Sequence, residues 1–132
     1  MTDDLIPETA RVFILENIES IAEMECILMF FYKPDVELDA VKVSSSLYIT
    51  EYDAGRLLER LLQAGFLVKN SVTPSVYKYA PRSSKLENGL KEVADLYKRY
   101  LLPVTHIIHS KSKTRVQEFA NAFRIRKDKS DG

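Results

Sequence analysis

T-E-Y-D-A-G-R-L-L-E-R-L-L-Q-A-G, from Thr50 to Gly65, is the stretch on which the reading of this chain turns. Thr50 is placed as an N-cap, its hydroxyl able to accept from the amide three residues on, with Asp53 at the reciprocal position of a capping box. Glu51 falls in the first turn, where negative charge suits the helix dipole. Ala54, Leu57, Leu58 and Leu61 recur at the helical period and form one apolar face. The pattern predicts a helix over Thr50–Ala64. Gly65 ends it, because the residue after the last turn commonly adopts a left-handed conformation that only glycine tolerates easily.

Working outward, Phe66–Asn70 and Val76–Ala80 read as two strands around a proline-containing turn, Ser71–Ser75, with Tyr77 and Tyr79 alternating against Val76 and Lys78. Upstream, S-I-A-E at Ser20–Glu23 is a capping box, and Met24, Ile27, Leu28 and Phe31 follow at i, i+3, i+4, i+7. Pro34 closes that helix, predicted over Ser20–Lys33. Between the two lies a short element, Leu38–Ser45, with Leu38, Ala40 and Val41 as its apolar edge and S-S-S-L-Y-I as the turn after it. A weaker helical pattern, Glu8–Glu16, precedes them all and offers Val12 and Leu15 for docking. Three helices and then a hairpin is the order of a winged helix-turn-helix. The expected fold class is therefore mainly α with a small β-hairpin, a winged-helix domain over residues 1–82 followed by a helical extension over residues 83–132.

In the extension, S-K-L-E at Ser84–Glu87 is read as a capping box. Leu86, Leu90, Val93, Tyr97, Tyr100, Val104 and Ile107 are spaced 4, 3, 4, 3, 4, 3, the a/d pattern of a coiled-coil seam. That seam is the expected dimerisation surface. Pro103 lies inside it and predicts a kink or break there, since an interior proline costs about 3 kcal/mol. A final helix is expected from Thr114, packing Val116, Phe119, Ala120 and Phe123. It gives way to a basic tail with Arg124, Arg126, Lys127 and Lys129.

Composition narrows the function classes. The chain has 132 residues and no net charge, yet Met1–Gln63 holds 13 acidic and 5 basic residues, whereas Ala64–Gly132 holds 6 acidic and 14 basic. Such asymmetry marks a nucleic-acid face, two chains pairing head to tail, or solvated helix surfaces. No apolar run is long enough for a membrane span, and the acidic start M-T-D-D-L does not resemble a secretory leader, so a cytoplasmic protein is expected. The single cysteine, Cys26, lies within an apolar run and reads as a structural thiol. His106 and His109 share a possible helix face but lack the further ligands a metal site needs. With glycines only at 55, 65, 89 and 132, no phosphate-cradling loop can be written. No nucleophile elbow is present either. The expectation is a non-enzyme with no cofactor and no metal.

On I-L-M-F-F-Y-K-P, the Thr50–Gly65 helix, G-F-L-V-K-N and V-Y-K-Y-A-P, the chain resembles the bacterial winged-helix transcriptional regulators, in the broad class of MarR-like and ArsR-like repressors. F-A-N-A-F-R-I-R-K-D is similar to the closing segment of a family of small uncharacterised bacterial regulators. The resemblance implies a dimer that binds double-stranded DNA and regulates transcription, with the third helix in the major groove. On that helix, Tyr52, Arg56, Arg60 and Gln63 would meet DNA, Arg56 suiting guanine and Gln63 adenine, while Lys69 and Lys78 would act from the wing. Glu51, Asp53 and Glu59 stand against this, three carboxylates beside two arginines on a surface whose affinity derives mainly from phosphate neutralisation. A second function therefore stays open: a winged-helix adaptor that binds a protein partner through its acidic helix face and does not bind DNA.

Overall fold

The computed structural model describes residues 5–131; for Val72, Ser112, Arg115 and residues 123–131 only the backbone is described, so Phe123 and the basic tail lie outside the described side chains. The elements are α1 (Glu8–Asn17), α2 (Ile21–Tyr32), α3 (Ala40–Leu47), α4 (Glu51–Gln63), β1 (Leu67–Val72), β2 (Ser75–Tyr79), α5 (Ser84–Arg99) and α6 (Leu101–Asp131). This is the winged helix expected from the sequence, with its helical extension.

The caps fix the chain entries. Ser20, Thr50 and Asp39 each accept from the amide three residues on, at 3.1, 3.0 and 2.9 Å. Gly65, at φ 91°, ends α4 in a Schellman motif: its own amide donates to Leu62 and the Phe66 amide to Leu61. A side chain there would also press on Arg82, with the guanidinium Nε only 2.9 Å from the added carbon. That turn aims the chain directly into the wing.

The hairpin is tighter than expected. β1 and β2 pair antiparallel from Leu67↔Tyr79 to Val72↔Ser75, so only Thr73 and Pro74 remain as the turn, and a bulge lies between Lys69 and Ser71. Leu38 is not helical. It exchanges both backbone hydrogen bonds with Tyr77, at 2.9 Å each, and adds a one-residue third rung to the wing. The helix over that region begins two residues later, at Ala40, and extends through Leu47, so S-S-S-L lies in helix. The turn reduces to Tyr48–Thr50, with Tyr48 left-handed at φ 58°.

The extension differs more. Ser83, not Ser84, caps α5. The chain breaks at Tyr100 rather than at Pro103, which sits in the first turn of α6, where its missing N–H has no helical partner to lose. No new helix starts at Thr114: α6 runs continuously from Leu101 to Asp131.

The supposed seam is buried inside the chain. Leu90, Val93, Tyr97, Val104 and Ile107 all belong to one core cluster that also holds Phe13, Ile14, Ile27, Leu58 and Phe66, with Leu86 and Tyr100 packed on its edge. The a/d pattern was genuine, but its partner is α1, which packs against both α5 and α6. α1 buries Ala10, Phe13 and Ile14, with Leu15 partly buried against the same core as expected and Val12 exposed. Gly89 admits the Phe13 ring against α5, since any added carbon would sit 2.3 Å from it. A single core thus crosses the 82/83 boundary.

Candidate nucleic-acid interface

α4 packs its apolar face on α2, α3 and β1, burying Ala54, Leu58 and Leu61. Its opposite face carries Glu51, Tyr52, Asp53, Arg56 and Gln63, all exposed, with Tyr52 at 74%. The Arg56 guanidinium lies 5.9 Å from the centre of the Tyr52 ring, a cation–π arrangement that holds both along the helix surface. A cleft of about 690 Å³ runs beside them between α4, the start of α3 and the wing, lined by Val41, Tyr52, Arg56, Lys69, Pro74 and Tyr77 among others.

The six residues expected to meet DNA do not form one set. Tyr52, Arg56 and Gln63 share the exposed face. Lys78 is half-buried and pairs across the hairpin with Val68, whereas Lys69 pairs with Tyr77. Because strand side chains alternate, Lys69 and Lys78 lie on opposite faces of the wing. Lys69 points to α4, where its ammonium meets Glu59 Oε2 at 2.8 Å and lies 5.5 Å from the centre of the Tyr77 ring. The Tyr77 hydroxyl donates to the same carboxylate. Lys69 and Tyr77 accordingly hold the Glu59 carboxyl below its ordinary range, and Glu59 holds the Lys69 ammonium above its own. The sequence had set Glu59 against DNA and Lys69 toward it; the fold cancels the two.

Arg60 is likewise engaged within the protein. Its Nε donates to Glu23 Oε2 at 2.9 Å and its Nη2 lies 3.4 Å from Glu19 Oε1. Glu19 in turn takes Lys111 Nζ of α6 at 2.6 Å. Only 2% of Glu23 is exposed, and its other oxygen accepts from the Glu19 amide at 3.3 Å, one residue before the Ser20 amide that a standard capping box would use. Burial pushes the Glu23 carboxyl up to about 7, opposed by the Lys111 ammonium. Arg60 is held by the protein's own carboxylates, although its side chain remains 47% exposed on the side of α4 that carries Arg56.

Other acidic groups near this face are also engaged. Glu37 accepts from the Asn70 amide at 3.1 Å, and Asp39 caps α3. Sequence reasoning missed the Glu19–Glu23–Arg60–Lys111 cluster entirely. One signal was present: Glu23 lies four residues before Ile27, placing a carboxylate at the border of an apolar stripe. Elsewhere, Cys26 is fully buried, and burial raises its thiol to about 12, helped by the nearby Glu23. Tyr77 and Tyr97 are buried while Tyr48 and Tyr52 stand in solvent, and of these four Tyr52 and Tyr77 line the wing cleft. His106 and His109 are exposed.

No protein-family model matches this sequence, and no curated protein matches it. The fold is similar to solved structures. One is a multiple antibiotic-resistance repressor, MarR, of Listeria monocytogenes, with a TM-score of 0.50 and 16% identity over 94% of this chain and 82% of that one. Another is a transcriptional regulator of Thermotoga maritima, with a TM-score of 0.52 and 11% identity over 92% of this chain and 85% of that one. At those identities the likeness is one of fold, and it extends through the C-terminal helices as well as the wing.

Proposed function

We propose that the chain is a non-enzymatic winged-helix transcriptional regulator that binds double-stranded DNA through the exposed face of α4. The observation that carries this reading is the Tyr52–Arg56–Gln63 face, unobstructed beside the wing cleft in a fold shared along nearly its whole length with two regulators. Arg56 has the donor geometry for guanine and Gln63 for adenine, while Tyr52 and Lys78 suit phosphate oxygens. Titration with a mixed-sequence duplex at roughly 50 and 200 mM salt tests it, because phosphate contacts leave a logarithmic salt slope of about 0.9 per contact. Arg56→Ala should weaken binding by about 1–3 kcal/mol. A wild-type chain whose binding to every duplex lacks a salt slope would end this reading.

A specific observation favours the adaptor as the second reading. Glu51 and Asp53 remain on the exposed face with only Arg56 beside them, since Lys69 and Arg60 are engaged elsewhere. A basic protein surface would complement that face better than phosphate does.

The assembly we propose is a homodimer built on α6 rather than on the buried seam. Its 31 residues span about 46 Å at 1.5 Å per residue. Leu102, Val116 and Phe119 are 78%, 68% and 75% exposed. Large apolar groups standing free on a projecting helix need a partner surface. Phe119→Glu should lower the sedimenting mass to that of one chain while leaving the melting temperature of the body unchanged.

A further inference from the structure

Glu19, Glu23, Arg60 and Lys111 come from three distant parts of the chain, the α1–α2 junction, the last turn of α4 and the middle of α6. They close into one cluster with contacts of 2.6, 2.9, 3.3 and 3.4 Å. The main packing partners of α4 are α2, α3 and β1, and those of α6 are α1 and α5. The charges join the two helices through Glu19, beside the core that both share. We infer that Arg60 and Lys111 are positioning residues: through Glu19 and Glu23 they fix the last turn of α4 against α6, so that the placement of α6 sets the placement of the Tyr52–Arg56–Gln63 face.

Three features argue for positioning over simple stability. Buried ion clusters are weak stabilisers because desolvation offsets most of their attraction, and their best-attested use is to fix register. An apolar contact in the same place would let α6 slide, whereas a guanidinium donating to one carboxylate and approaching a second defines direction as well as distance. Lys111 also sits where α6 leaves the body. Ile107 and Ile108 before it are buried, and Lys113, Thr114 and Val116–Phe119 after it are exposed. Any displacement of the projecting part of α6 is therefore levered about Lys111. On α4, Arg56 lies one turn before Arg60 on the same side of the helix, so a tilt at Arg60 moves Arg56 directly. A cleft of about 340 Å³ opens along this edge, lined by Glu19, Glu23, Asp53, Arg56 and Arg60, which leaves α4 room to move there.

The inference rests on the proposed DNA-binding reading for its functional meaning, but not for its test. In the full-length chain, Lys111→Met keeps the side-chain length and removes the charge, and Lys111→Arg restores a cation. Two quantities are measured: amide exchange across Leu61–Ala64 of α4, and affinity for a mixed-sequence duplex at the same two salt concentrations. The expected result for Lys111→Met is roughly fivefold faster exchange in the last turn of α4, with α5 unchanged. Duplex affinity should fall about fivefold with the salt slope preserved. Lys111→Arg should recover both. Unchanged exchange in a folded Lys111→Met chain would overturn the coupling whatever the DNA result. A slope lowered by about one would overturn it too, by making Lys111 a phosphate contact. If the wild-type chain binds no duplex, the DNA reading fails alone and the exchange measurement still decides the coupling. Should Lys111→Met not fold, Arg60→Lys, which keeps the charge but loses the fork, is expected to move both readouts the same way, and unchanged readouts there would overturn the coupling.

Discussion

The two flanks of α4 are both closed by ion pairs, yet they differ in burial. On the wing flank, Glu59 and Lys69 meet with side chains 47% and 30% exposed. On the α6 flank, Glu23 is 3% exposed at the side chain, with Lys111 at 17% and Glu19 at 20%, while Arg60, which reaches them from α4, is 47% exposed. Exposed pairs contribute little, because water screens them and two long side chains must be ordered. In a buried cluster, losing one partner strands a charge in a poorly polarisable site. The same residue types thus give an exchangeable contact on one side, open to displacement by an incoming anion, and a fixed anchor on the other.

The comparison predicts its largest effect at Glu23. Glu23→Ala leaves the Arg60 guanidinium with Glu19 at 3.4 Å, while Lys111 keeps Glu19 at 2.6 Å. Losing a charge-assisted hydrogen bond from the buried carboxylate to a half-exposed guanidinium costs about 1.5–3 kcal/mol, a fall in melting temperature on the order of 10 °C for a chain of this size. Glu59→Ala should leave the melting temperature almost unmoved. Thermal scans of the two variants side by side check the contrast, and equal shifts would erase it.

A smaller effect follows from protonation. Burial lifts the Glu23 carboxyl from 4.5 to about 7, while the charged groups facing it are Arg60 from α4, Lys111 from α6 and the neighbouring Glu19, with Cys26 on its own helix. An acid whose folded value is raised binds a proton in the native chain that the unfolded chain has already released. Between pH 4.5 and about 7 the native state holds more protons, so stability falls as pH rises through that window and levels off above it. The melting temperature should therefore drop on the order of 5 °C from pH 5 to pH 8. In Glu23→Gln, which cannot ionise, the curve should be flat over the same range. A wild-type curve that rises over this range would show that Glu23 is ionised throughout, held so by Arg60.

What the sequence disclosed tracks how local each interaction is. The caps at Ser20 and Thr50, the stop at Gly65 and the leucine face of α4 are encoded within a few residues and were legible. The a/d spacing from Leu86 to Ile107 correctly marked an apolar stripe, but periodicity says that a face is buried, not by what. The partner was α1, whose short apolar pattern marked Leu15, which packs at the edge of the core, and Val12, which is exposed, but not the more deeply buried Phe13 and Ile14. At the candidate site, Tyr52, Arg56 and Gln63 follow from a helical wheel because exposure on a helix is a local property. Arg60 and Lys69 do not, because their partners are 37 and 10 residues away in sequence and are brought together only by the packing of α2 and the wing on α4. Leu38 misled for the same reason: its bridge to Tyr77 is a long-range backbone pairing without a local signature.

The smallest thermal effect and the most informative binding effect belong to Glu59→Gln. In the native chain, the Glu59 carboxylate accepts from both Lys69 and the Tyr77 hydroxyl, and the Lys69 ammonium also lies over the Tyr77 ring. A glutamine keeps an acceptor for Tyr77, so the wing stays docked, but it removes the negative charge that draws Lys69 inward. Lys69 can then turn toward the cleft beside Tyr52 and Arg56. Two changes act in the same direction there, the loss of a carboxylate and the release of a cation at the face proposed to meet phosphates. Duplex affinity at low salt should rise several-fold, and the salt slope should steepen by about one contact. The melting temperature should change by no more than about 1 °C. Combining Glu59→Gln with Lys69→Met distinguishes the two contributions: the double variant should keep the gain from removing repulsion and lose the added slope. If Glu59→Gln tightens binding with no change in slope, Lys69 remains on Tyr77 and only the carboxylate mattered. A weakened affinity would instead mean that the Glu59–Lys69 pair holds the wing in its DNA-competent position, making the wing flank an anchor like the α6 flank.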